Sequence, residues 1–243
     1  MKNFFALLAF LLITVQILAQ EEKEFEPRIA VKWAPTGLLL GSLSFQGEIN
    51  LLGRTSLTAK IGIPANTRES LPFEGKDAIF NMKATSFLAG YRMYFSKKRF
   101  NGIYFEPYFK YVHHTSEGSG QGTVGMRNIT LDFTNNYNGF GLGGQMGVQF
   151  LVRKRFVIDL FLLGPEINAS KNNFTAREVS NSLPWTTGEA SDAEASIHEF
   201  INQFPFIRNR TNTMVDAASK TVTADFKGAL PGIRSGFSIG FTF

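Results

Sequence analysis

The chain has 243 residues, 44% of them hydrophobic and 14% aromatic, with 25 Lys+Arg against 20 Asp+Glu and a net charge of +5. That apolar content excludes a disordered chain, and the length holds one domain or at most two. The lack of Cys excludes a disulfide-stapled scaffold, a thiol nucleophile and any thiolate metal or iron–sulfur site.

The chain opens on Lys2, an apolar run from Phe4 to about Leu18, and Ala19-Gln20 ahead of Glu21-Glu22-Lys23-Glu24. A short cationic start, a short greasy core and a small exit residue predict a secretory signal peptide over 1–19, cut after Ala19. The run contains Thr14 and Gln16 and falls short of the ~20 residues that span a bilayer. No later run reaches 18 apolar residues, so residues 20–243 are expected to be soluble and exported or to form a membrane β-barrel.

From residue 28 onward the pattern has period two. Windows 28–34, 43–52, 56–63, 83–95, 102–112, 138–150, 156–165 and 232–243 each alternate an apolar face with a polar or glycine face. In 138–150, Phe140, Leu142, Met146, Val148 and Phe150 oppose Gly139, Gly141, Gly143, Gln145, Gly147 and Gln149. Pro107 cannot donate to a ladder, which predicts a bulge there. Window 156–165 alternates worst, because Phe161 and Leu163 fall on the Asp159 face.

Eight strands with a greasy aromatic face and a small or charged face fit a barrel better than a soluble sandwich. In a sandwich, the glycine face would waste core volume. In a membrane barrel the greasy side meets lipid and small residues fit a narrow lumen. The connections alternate long and short: 35–42, 64–82, 113–137 and 166–231 against the brief, basic 53–55, 96–101 and 151–155. The predicted fold is therefore all-β: a transmembrane up-and-down antiparallel barrel of about eight strands spanning 20–243. Residues 166–231 form its long extracellular loop. There Ile197, Phe200, Ile201 and Phe204 at helical spacing, followed by Pro205, predict a short helix, and 213–226 could form a hairpin.

The chain ends on Phe243, preceded at spacing two by Phe241, Ile239 and Phe237. This ending resembles the signal that outer-membrane barrels present to the barrel assembly machinery. The stretches Gly90-Tyr91-Arg92-Met93-Tyr94-Phe95 and Phe105-Glu106-Pro107-Tyr108 are similar to a family of small outer-membrane barrels of unknown function. The resemblance covers most of 28–165 and 232–243 and leaves out 166–231. It implies a fold and a place in the bacterial outer membrane, with outer-membrane lipid and the assembly machinery as partners. It implies no established reaction and no cofactor, and no nucleic-acid partner is expected.

The polar face collects Lys32, Glu48, Lys60, Arg92, Glu106, Lys110, Asp159 and Arg234, five cations to three carboxylates. Isolated charges in a narrow barrel are costly, so these are expected to pair into a lumen network; an ion or solute path is the alternative. His114 and Ser116 share a face, and His-x-Ser resembles the motif of outer-membrane lipid A deacylases, in which His activates Ser. Here Glu117 stands where that family has Asn, and the family's later Glu is missing. The Gly-rich stretch 118–125 lacks a phosphate loop's Lys-Ser/Thr ending and is expected to be a flexible outer loop. A structural or surface-binding role, through 166–231 above all, is the leading expectation. A narrow pore and an acyl hydrolase are the alternatives.

Overall fold

The computed structural model describes residues 26–73 and 76–243, and the leader expected over 1–19 lies outside them. The described strands are β1 (Ile29–Ala34), β2 (Ser42–Asn50), β3 (Thr55–Pro64), β4 (Thr67–Phe73), β5 (Lys76–Tyr94), β6 (Gly102–Val124), β7 (Arg127–Val152), β8 (Phe156–Glu178), β9 (Thr211–Asp216) and β10 (Thr221–Thr242). A 3-10 turn (Pro35–Leu40) joins β1 to β2, and one α-helix, α1 (Thr187–Asn202), lies between β8 and β9. All described pairings are antiparallel. The order β1-β2-β3-β5-β6-β7-β8-β10 closes on itself where Val31 pairs with Phe241. Eight strands thus make an up-and-down barrel. β4 pairs with β5 and β9 with β10 outside the ring.

The strands outrun their sequence windows. Residues 113–137, expected as a loop, are the continuous hairpin of β6 and β7, paired in register from Gly102–Gln149 up to Val124–Arg127. Its tip is the two-residue turn Gly125-Met126, and Gly125 takes the positive φ that such a turn requires. The connection expected over 166–231 shrinks to 179–220, because β8 runs to Glu178 and β10 starts at Thr221. On the β1–β3 side the wall stays low.

The reason lies in a change of phase along the tall strands. In the lower half of β7, Phe140, Leu142, Met146 and Phe150 are exposed while Gln145 and Gln149 are buried. In its upper half Ile129 and Phe133 are buried, whereas Asn128, Asp132 and Thr134 are exposed. β10 behaves alike: Ile233, Phe237 and Phe241 face outward below, and Val222, Ala224 and Phe226 face inward above. The molecule is apolar outside and polar inside at the end carrying the termini, and the reverse at the other.

Pro107 does not cause a bulge. The β6–β7 register runs through it unbroken, and on the β5 side the pairs keep one register above and below an unpaired stretch at Tyr91 and Arg92. The bulge sits in β8 instead. Both β7 and β10 shift register there, between Met146 and Gly147 and between Arg234 and Gly236. Each shift adds one residue to β8 near Leu162 and Leu163, which are both exposed. Phe161 is inside and Leu163 outside, so the awkward alternation of this window records the extra residue. Beyond it the inward positions become even-numbered and bring Glu166, Asn168 and Ser170 into the lumen. A one-residue slip flips every later side chain to the opposite face. The bulge supplies that slip, so deletion of Leu162 is expected to restore strict alternation, keep Glu166 and Asn168 inside and cost no more than about 3 kcal/mol, read as heat-modifiable migration retained at low urea.

Candidate functional site

The barrel's interior is layered, starting from the end with the short turns. In the turn after β5, Phe100 adopts a positive φ of 52° and is fully buried with Ala30 and Val157, with Leu151 packed against them. Burial of the ring offsets the backbone strain. Nothing in the alternation of 96–101 marks Phe100, since it lies in a turn.

Above this apolar floor lies an ion cluster. Lys32 Nζ donates to Glu48 Oε2 at 2.8 Å, Asp159 Oδ2 at 2.7 Å and Gln149 Oε1 at 3.0 Å. Arg92 donates to Asp159 Oδ2 at 2.8 Å and through Nε to Glu106 Oε2 at 2.7 Å, and it also binds Gln149. Its guanidinium carbon lies 3.7 Å from the centre of the Tyr104 ring. Tyr94 donates to Glu48 at 2.5 Å, Tyr104 to Asp159 at 2.7 Å and Thr58 to Glu106 at 2.5 Å. All five charged groups are fully buried. The lumen glycines answer to this crowding: a Cβ on Gly90 would lie 2.5 Å from Glu106 Oε1 and 2.8 Å from Thr58 Oγ1.

Gln145 links this layer to the next, donating to Glu106 at 3.0 Å and accepting from Arg234 Nη1 at 3.0 Å. Arg234 and Lys60 lie over the buried Phe161 ring, at 4.7 and 5.4 Å from its centre. Neither makes an ion pair among the described residues. Lys110 pairs with Glu166, which also accepts from Tyr108 at 2.9 Å. Thus five of the eight predicted network residues form the floor cluster. Lys110 pairs separately, and Lys60 and Arg234 stand above the floor. Sequence reasoning missed Glu166 because it ended the strand at 165; the broken alternation beside Pro165 was the available signal. It also missed Gln145, Gln149 and the tyrosines, which carry no charge to draw the eye.

Over these cations opens a cavity of about 640 Å³, lined among others by Lys60, Lys110, His114, Glu166 and Arg234. Asn135 and Asn172 line both this cavity and a second of about 770 Å³ above it. The upper one is walled by Phe80, Phe133, Phe174, Val222 and Phe226 and roofed by Ile197, Phe200 and Ile201 of α1. Phe133 stacks between Phe80 and Phe174 with centroids 5.9 and 6.1 Å away.

The roof is tied down at its start. Thr186 caps α1 reciprocally with Glu189, and Arg127 Nη2 lies 2.6 Å from Glu189 Oε1. Trp185 donates to Glu178 of β8 and packs with Val124, Ile129, Ala193 and Val222.

His114 lines the lower cavity, and Ser116 follows on the same strand face. The two share no hydrogen bond, and no carboxylate bonds the imidazole among the described residues. His113, on the opposite face, is the histidine that binds Asn138, at 2.8 Å. The terminal residues Phe237, Phe241 and Phe243 are exposed and Ile239 half-buried along β10, and Phe243 N–H donates to Ile29 O at 2.8 Å.

No family model matches the sequence, and no curated protein does. Among solved structures, the chain is similar to Acinetobacter baumannii CarO, at 9% identity and a TM-score of 0.45, over 92% of this chain and 100% of that one.

Truncating Arg92 leaves the buried Glu106 without a cation, while Glu48 and Asp159 keep only Lys32. Arg92→Met is expected to cost about 3–5 kcal/mol in equilibrium urea unfolding, more than Gln149→Leu. At the roof, the Thr186 backbone N–H and then Arg127 hold the Glu189 carboxyl below the usual glutamate range. A lowered folded pKa gives stability that is present above the unfolded value and lost as pH falls through the folded one. Acidification from about pH 5 to about pH 3 should loosen α1, read from Trp185 emission in a Trp33→Phe background, and Glu189→Gln should diminish that change.

Proposed function

We propose that this chain is an integral outer-membrane β-barrel, sealed at its periplasmic end, that binds a ligand through its outer half. The observation that carries the reading is the polarity of the outer wall. Every ring strand exposes apolar side chains near the termini: Val31, Phe45, Ile61, Phe87, Phe109, Phe140, Ile167 and Phe237. On β7 this band runs from Phe140 to Phe150, within the ~9–11 residues with which a tilted strand crosses a bilayer. Water would not tolerate so continuous an apolar belt on a monomer. Above the band the wall is polar outside, as suits a structure standing clear of lipid.

The sealed floor argues for binding over conduction. Phe100 and the ion cluster occupy the lumen at one end, whereas the space above them is open enough to admit a molecule. The exposed Phe241 and Phe243, at the edge where the ring closes, suit recognition by an assembly machinery. Among the described residues His114 makes no hydrogen bond to Ser116 or to a carboxylate, which gives no support to acyl hydrolysis.

Two measurements test the proposal. The protein should give no unitary conductance steps in planar bilayers, even after removal of the α1 segment, since the seal lies at the other end. A lone Trp placed at Phe140, with both native Trp replaced by Phe, should be quenched by brominated lipid. Conductance steps would overturn the seal, and absence of quenching the membrane placement.

A further inference from the structure

The two cavities form one amphipathic chamber, and its polarity specifies an occupant. Its upper part is a mainly aromatic and aliphatic space under α1. The lower part holds Lys60 and Arg234, which have no carboxylate partner among the described residues and rest on the face of Phe161. The carboxylates beneath them are already engaged: Glu106 by Arg92, Thr58 and Gln145, and Asp159 by Lys32, Arg92 and Tyr104. From the floor up to Asn135 and Asn172 the lumen holds five cations to four carboxylates once Glu166 is counted. Enclosed cations without an anion are costly, and a ring face compensates for only part of the lost hydration.

We propose that the chamber binds a single-chain amphiphile with an anionic head, the head on Lys60 and Arg234 and the apolar chain among Phe80, Phe133, Phe174 and Phe226 beneath α1. This deepens the binding role proposed above and rests on it. Both volumes fall in the ~300–1,000 Å³ range of small-ligand sites. Charge alone would attract any anion, and the apolar chamber alone any hydrocarbon. Their stacking selects a molecule that is both. Asn135 and Asn172, at the junction, suit the region where head gives way to chain.

The molecule itself supplies an optical readout. Trp185 lines the upper chamber, and Trp33 is the sole other Trp in the chain. In a Trp33→Phe background, with the full chain in lipid nanodiscs, cis-parinaric acid should accept energy from Trp185 in a saturable manner above the signal of empty discs. Dodecanoate or dodecyl phosphate should displace it at least tenfold more effectively than 1-dodecanol, and the better of the two names the head group. The double variant Lys60→Met/Arg234→Met should bind the acid at least tenfold more weakly and dodecanol unchanged. Ala176→Phe/Ala224→Phe should abolish binding of both by filling the upper chamber. Heat-modifiable migration shows that each variant is folded. Non-saturable transfer, equal displacement by acid and alcohol, or an unaltered charge variant overturns the proposal. The sealed-barrel reading fails separately, by the appearance of conductance steps, and saturable binding could survive that failure.

Discussion

The structure depends on a reversal of polarity along its own strands. A β-strand sends alternate residues to opposite faces, so the side that is greasy at one height must become hydrophilic at another if the surroundings change. Here that happens near residue 137 of β7, and at corresponding heights on its neighbours. Below, the interior consists of charges and the exterior of Phe, Leu and Ile. Above, the interior is aromatic and the exterior is Asn, Thr and Asp. One sheet therefore carries two opposite polarity patterns, and each is suited to different surroundings.

Above the small apolar floor of Phe100, Ala30 and Val157, the lower half is filled by ions instead of a hydrophobic core. Its interior is held by Lys32 and Arg92, each shared between carboxylates, with Gln149 and the phenols of Tyr94 and Tyr104 completing the coordination. Removing charges from water is expensive, and a buried pair repays that cost only with good geometry and further hydrogen bonds. The cluster meets both conditions. It leaves few polar groups orphaned, the Gln149 amide nitrogen among them. Large side chains can reach across because β7 and its neighbours present glycine beneath them.

The barrel and its strand number were legible because the lower windows alternate cleanly, and each such window is a strand crossing one environment. The charged residues were legible for the same reason, since the even or odd parity of each strand assigns them to one face. Legibility failed wherever the phase changed. Residues 113–137 and 166–178 are as regular in space as the rest. In the sequence their apolar positions migrate from one parity to the other, and a pattern that changes phase looks like no pattern at all. The bulge at Leu162 hid Glu166 by the same means, although two adjacent leucines ahead of Gly164-Pro165 did mark the fault. Phe100 was invisible for a different reason. Its burial comes from a turn that folds back, which no periodicity encodes. The helix α1 was readable from its own spacing and the Pro205 stop, but the chamber beneath it is a product of assembly.

The floor network draws a member from every stave of the ring but the last: Lys32 from β1, Glu48 from β2, Thr58 from β3, Arg92 from β5, Glu106 from β6, Gln145 and Gln149 from β7 and Asp159 from β8, with Gln145 tying it to Arg234 of β10 in the layer above. Neighbouring staves supply the pairs Lys32–Glu48 and Arg92–Glu106, but Asp159 of β8 meets its cations, Lys32 of β1 and Arg92 of β5, only across the closed ring. A half-built cylinder would leave Asp159 without its cations, so partial intermediates are penalised and the final zipping of first stave to last is rewarded. The ions that reach across the lumen thus also act as a proofreader of manufacture, tolerating only the finished vessel.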